Sequence, residues 1–179
     1  CPKYDLPLFF PGARHGSALT ATGDAVRLED NKRIADVFYI GGTKVGAMFG
    51  EAVVFTHGNM PKNFVTLVKQ HGALLAKGWL LGVQFDTLFT DNLYCRIARR
   101  ANDAADRIRE VLVERGYTLT FDAPTNQIFI TLNNETSERL QRSVRLGFME
   151  KADDTHTVMR ICTSWATTDK QVEQLIALL

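Results

Sequence analysis

An α/β fold is predicted by three features of the sequence. Asp36–Ile40 and Glu51–Phe55 are short apolar runs rich in β-branched and aromatic residues, as in a sheet covered on both faces. Val83–Arg115 holds neither glycine nor proline, which allows one long helix or two abutting ones. From Tyr117 to the end, strand and helix patterns alternate as β-β-α-β-α, an α/β sandwich.

The elements follow in order. Leu6–Phe10 reads as a short buried strand, although Pro7 removes a ladder donor, and Pro11-Gly12 ends it. Leu28–Ile34 reads as a short helix. Gly41-Gly42 stops the strand that begins at Asp36. A helical stretch starts at Pro61 and runs to about Ala76. Leu93, Ile97, Ala101, Ala104, Ile108 and Leu112 recur every three or four residues, one face of an amphipathic helix with Gly116 placed as its C′ residue. Tyr117–Phe121 and Gln127–Leu132 read as strands, Glu138–Leu146 as a helix with Gly147 behind it, and Val158–Cys162 as a strand. The last helix opens with a capping box, Thr168 with Gln171 three residues on. It continues with Val172, Leu175, Ile176 and Leu179 on one face.

Composition narrows the function. The 179 residues carry 21 Lys and Arg against 20 Asp and Glu, a net charge of +1 that makes no electrostatic case for nucleic acid or a membrane surface. No apolar run approaches the ~18 residues of a membrane span. Cys1, Cys95 and Cys162 are odd in number and widely spaced, which fits reduced thiols in a cytoplasmic setting better than disulfides or zinc. The chain begins at Cys1, without a signal-peptide layout, and is expected to be part of something longer.

The densest special segment is Ile40-Gly-Gly-Thr-Lys-Val-Gly-Ala-Met-Phe-Gly50. It is not a P-loop, which needs Gly-Lys-Ser/Thr in that order. A lysine beyond the C-terminal end of a strand in an α/β sheet sits where ligands bind, and its amine can attack an aldehyde. Read by spacing alone, Lys44 is more often a solvated loop residue. Arg14, in Gly12-Ala13-Arg14, follows the first strand and suits a carboxylate, phosphate or phenolate, or an ion pair within a loop. Arg160 interrupts the apolar Met159-Arg-Ile-Cys162. It either projects from the sheet toward an anion or lies on an edge strand in solvent. Trp79 and Trp165 are expected in the core. Lys77 either snorkels or reaches a phosphate. The mixed charges from Arg96 to Arg115 read as a solvated helix face, and the histidines show no metal-ligand spacing.

Three motifs lie in colinear order: Asp36-VFYIGGTKVGAMFGEAVVF55, Gln70-HGALLAKGWLLGVQF85 and Met159-RICTSWAT167. Together they resemble the pyridoxal-phosphate-dependent threonine aldolase / β-eliminating lyase family over nearly the whole chain. The resemblance implies the C-terminal part of a fold-type I enzyme of the aspartate aminotransferase kind. On that reading residues 1–90 close the large cofactor domain, 91–115 form a bridging helix, and 116–179 form the small domain.

The resemblance also implies roles. Lys44 matches the lysine that forms the Schiff base with pyridoxal 5′-phosphate, and Thr43 lies near the cofactor. Arg14 matches the arginine of the family's Asp-Gly-Ala-Arg motif, which contacts the cofactor ring or the substrate carboxylate. Arg160 matches the arginine that grips that carboxylate. Lys77 matches a basic residue that reaches the phosphate of a neighbouring subunit's cofactor. The implied reaction is retro-aldol cleavage of L-threonine or L-allo-threonine to glycine and acetaldehyde, in a homodimer or homotetramer with no nucleic-acid or membrane partner. The alternatives are β-elimination, or a truncated non-catalytic remnant. Two departures stand out. Pro11 occupies the position of the family's aspartate, which pairs with the pyridine nitrogen. The phosphate-binding half of the family's large domain has no counterpart in these residues.

Overall fold

The structure, a computed structural model, describes residues 2–21, 23 and 27–179. It divides into two compact units. The first comprises Cys1–Leu19 and Asp24–Arg96, and the second Thr20–Gly23 and Ile97–Leu179.

In the first unit, strands β1 (Phe9–Phe10), β2 (Val37–Gly41) and β3 (Glu51–Phe55) form a three-stranded sheet in that order. β1 runs parallel to β2, and β3 antiparallel to it. Asp36 organises the entry to this sheet. Its carboxylate accepts the Leu8 N–H at 2.7 Å, its own N–H donates to Leu8 O, and its carbonyl takes donors from Thr56 and Asn59. This satisfies the backbone around Pro7, where no ladder bond can form. The strand expected over Leu6–Phe10 is therefore only two residues long, and it is exposed rather than buried, with Phe9 57% accessible. Cover on both faces also fails for β3, where Glu51 and Val53 are exposed.

Helices α1 (His15–Leu19) and α2 (Asn31–Ile34) are single turns, α2 preceded by a 3-10 turn at Leu28–Asp30. The stretch expected from Pro61 to Ala76 is helical only as α3 (Phe64–Gln70), because Gly72 adopts φ +70° and ends it. Helix α4 (Trp79–Phe89) and helix α5 (Leu93–Glu114) are the two abutting helices allowed between Val83 and Arg115. The break falls at Asp91 and Asn92, both at positive φ, a conformation that Asp and Asn tolerate better than other side chains. The buried stripe of α5 is Tyr94, Ala98, Ala101, Ala105, Ile108 and Leu112. It is rotated from the expected face, since Leu93, Ile97 and Ala104 are only part-buried.

In the second unit, β4 (Thr118–Leu119), β5 (Gln127–Asn133), β6 (Gly147–Lys151) and β7 (His156–Cys162) form an antiparallel sheet in the order β4-β5-β7-β6. Register pairs Ile128 with Ile161 and Ile130 with Met159. These side chains share one core with Ala105, Ile108 and Leu112 of α5, Leu140 of α6 (Asn134–Gln141) and Val172 of α7 (Asp169–Leu178). The expected β-β-α-β-α order gains a strand, β6. The helix expected at Glu138–Leu146 starts earlier, because the Asn133 side chain accepts the Thr136 N–H at 2.7 Å and caps it there. Gly116, at φ +76°, closes α5 in a Schellman motif: Tyr117 N donates to Leu112 O and Gly116 N to Val113 O. Among the described residues, no helix is long and apolar enough to cross a membrane.

Candidate active site

The site of interest in the first unit lies where β2 ends. Beyond Gly41 the chain turns through a 3-10 segment, Thr43–Val45. The Gly42 carbonyl closes this turn, accepting from Val45 N and Ala47 N at 3.0 Å each. Lys44 sits within it and is half-buried, and Thr43 beside it is exposed. Helix α4 holds the loop from one side. Gln84 accepts the Met48 N–H at 2.7 Å and donates to Phe49 O, while Phe85 lies against Gly42. The loop carrying Lys44 is thus fixed at both ends.

The segment carrying Arg14 lies directly on the end of β2. Gly12 O accepts the Gly41 N–H at 2.9 Å. A Cβ on Gly12 would stand 1.8 Å from Tyr39 O, and one on Gly41 would stand 2.5 Å from Ala13 O, so two main chains touch at a place where only glycine fits. Arg14 follows this contact. Its Nε is buried and has no hydrogen-bond partner among the described residues. A buried donor of a permanent cation without an acceptor is costly, and an anion at that position would satisfy it.

Other groups crowd the same strand end. Glu51 lies opposite Gly41 in the β2–β3 register. Although the residue is largely exposed, partial desolvation pushes its carboxyl above the ordinary value, against the opposing pull of the Lys44 charge and a hydrogen bond from the Gly42 N–H. Tyr94 is buried. Its hydroxyl donates to Gly41 O at 2.9 Å and accepts the Gly16 N–H at 3.0 Å. Sequence reasoning missed Tyr94, whose only local signal is membership of the buried stripe of α5. His15 is buried between Phe10 and Phe38, and its Nε2 lies 2.8 Å from Asn31 Nδ2. Since the amide nitrogen donates, Nε2 accepts and the ring is neutral.

The remaining candidates lie on other elements. Lys77 is exposed in the turn before α4, where its carbonyl accepts the Leu80 N–H at 3.0 Å. Arg160 belongs to the second unit and to an interior strand, so the edge-strand alternative fails. Its Nη1 donates to Gln127 Oε1 at 3.3 Å, while its Nε is buried without a partner among the described residues. Trp79 and Trp165 are 65% and 49% accessible, not core residues. The charged face of α5 is only partly solvated. Arg107 pairs with Asp169 and Glu173, and Arg109 pairs with Asp106 and donates to the carbonyls of Ala123 and Thr125.

Comparison with known proteins gives the class first. The fold is that of the C-terminal part of fold-type I pyridoxal-phosphate enzymes. A serine palmitoyltransferase of Sphingomonas wittichii matches it with a TM-score of 0.66 at 16% identity, over 99% of this chain and 47% of that one. The relationship is then more specific. The chain is similar to low-specificity L-threonine aldolases. It is 30% identical to one from Pseudomonas aeruginosa over 142 residues, 79% of this chain and 41% of the relative. It is 28% identical to one from a Pseudomonas species over 99% of this chain and 51% of the relative. A threonine aldolase of Leishmania major superposes with a TM-score of 0.94 at 38% identity, covering 99% of this chain and 52% of that one. The chain therefore spans about half the length of the relatives it matches. No family model matches it.

Proposed function

We propose that these residues are the C-terminal part of a pyridoxal-phosphate-dependent lyase that cleaves L-threonine or L-allo-threonine to glycine and acetaldehyde. The observation that carries this is the meeting at Gly41 of the main-chain segments that carry Lys44 and Arg14, in a chain that matches a threonine aldolase along 99% of its length. Residues 1–90 would close the cofactor domain, 91–115 would bridge, and 116–179 would form the small domain. The active protein would be a homodimer or homotetramer in the cytoplasm.

The residues present fit the group. An amine on a fixed turn suits its aldehyde, and the partnerless Nε of Arg14 suits an anionic oxygen of the ring or of the substrate. When bound, pyridoxal phosphate supplies an electron sink for the electrons released at the substrate's Cα. Lys44 contributes the amine that takes the cofactor's aldehyde, with Thr43 beside it. Arg14 and Arg160 hold anionic oxygens, Arg160 that of the amino acid carboxylate. Lys77 projects into solvent, in keeping with a role toward a neighbouring subunit's phosphate. Pro11 offers no carboxylate for the ring nitrogen.

The test is retro-aldol turnover of the complete gene product. Threonine-dependent acetaldehyde release that disappears in Lys44→Ala supports the reading, and release that survives in Lys44→Ala contradicts it. Pro11 and the half-length match favour a second reading, a non-catalytic remnant. Saturable pyridoxal phosphate binding at Lys44 of the 179-residue chain would defeat it.

A further inference from the structure

We propose that Tyr94 is a positioning residue for the Lys44 site, its buried hydroxyl tying the segment that carries Arg14 to the end of the strand that delivers Lys44. The proposal rests on the reading of Lys44 and Arg14 as the cofactor and anion groups.

The geometry is a double pin. Gly12 and Gly16 flank Arg14 by two residues on either side. Gly12 O binds the N–H of Gly41 at 2.9 Å. Gly16 N–H binds the Tyr94 hydroxyl at 3.0 Å, and that hydroxyl binds the carbonyl of Gly41 at 2.9 Å. Both pins therefore end on one residue, Gly41, three positions before Lys44. Arg14 sits on the short span between the pins, so its place relative to Lys44 is set by two main-chain anchors and one side chain.

Only a hydroxyl at this reach completes the second pin. The Tyr94 ring packs beside Phe89, with centroids 5.6 Å apart, and a phenylalanine would fill the same space without either hydrogen bond. Burial raises the phenol well above its ordinary range, so it stays protonated and keeps donating to Gly41 at any working pH. The two bonds span 78 and 53 positions of sequence, which makes them tertiary constraints on the site rather than features of α5.

The test is a double-mutant cycle on pyridoxal phosphate affinity in the complete gene product. It is measured by absorbance titration at a temperature where circular dichroism shows every variant folded. Tyr94→Phe is expected to weaken the cofactor at least ~10-fold in the wild-type background and less than ~3-fold in an Arg14→Gln background, because its effect passes through Arg14. A purely structural tyrosine would lower the thermal midpoint and cost the same factor in both backgrounds. That additive result, or unchanged affinity in Tyr94→Phe, overturns the proposal. Should Tyr94→Phe fail to fold, 3-fluorotyrosine at position 94 adds one small atom to the ring and makes the hydroxyl a more acidic donor. A change in affinity confined to the background that retains Arg14 supports the proposal, and an equal change or none overturns it. If the wild-type protein carries no cofactor at Lys44, the reading of the site falls, and the proposal with it. If the cofactor is at Lys44 and the cycle is additive, the proposal falls alone.

Discussion

His15 is enclosed by Phe10 and Phe38 and accepts a hydrogen bond from Asn31. Protonation would put a donor against a donor and a charge against two aromatic rings. Desolvation holds its pKa below the ordinary 6.5. The unfolded chain then binds the proton more readily, so this contribution to stability is complete above pH 6.5 and is lost as pH falls below it. The thermal midpoint should drop on acidification from pH 7 through this range, and His15→Gln should flatten the dependence. An equal slope in both proteins would refute the assignment. Arg160 gives a second prediction at this scale. Arg160→Ala in the active enzyme should weaken amino acid binding by about 1.5–3 kcal/mol, the scale of a charge-assisted pair. Unchanged KM and kcat would remove it from the site. Lys44, Arg14 and Arg160 were visible as candidates because each breaks an apolar or glycine-rich pattern. Tyr94 was not, because its partners lie far away in sequence and a tyrosine on the apolar face of a helix looks like any core aromatic.

Where elements begin and end depended on signals of unequal strength. The capping box read at Thr168 is present: its side chain accepts from Gln171 N and its N–H donates to Gln171 Oε1 at 2.9 Å. Thr168→Ala should lower stability by about 1 kcal/mol in denaturant unfolding, with the m-value unchanged. A change below a few tenths would show that α7 is held by the burial of Val172 alone. The Gly116 stop was equally readable, since glycine carries a conformational preference of its own, whereas the sequence left one long helix or two abutting ones open and did not place the break at Asp91. β6 was not readable. Gly147-Phe-Met-Glu-Lys151 does not alternate. A register shift between Phe148 and Glu150 breaks its pairing, and four of its five residues are exposed. It is held by β7, which sequence spacing does not report. The early start of α6 was hidden for a different reason: Asn133 ends one strand and caps the next helix, so one residue serves both elements.

The whole molecule carries two incomplete-looking features that one account joins. The first unit exposes many large apolar side chains, among them Leu6, Phe9, Met48 and Trp79, while its best-organised point is the strand end bearing Lys44. The chain spans about half of the threonine aldolases it resembles, and it follows the Leishmania major enzyme with a TM-score of 0.94. On the proposed function, a cofactor site shared with residues outside this span would account for both. The most direct test is borohydride reduction of the complete gene product after incubation with pyridoxal phosphate, followed by peptide mass mapping. The account predicts one saturable reduced adduct, on the peptide containing Lys44 and absent from Lys44→Ala. An adduct on another lysine, or one spread over surface lysines and undiminished in Lys44→Ala, would contradict it.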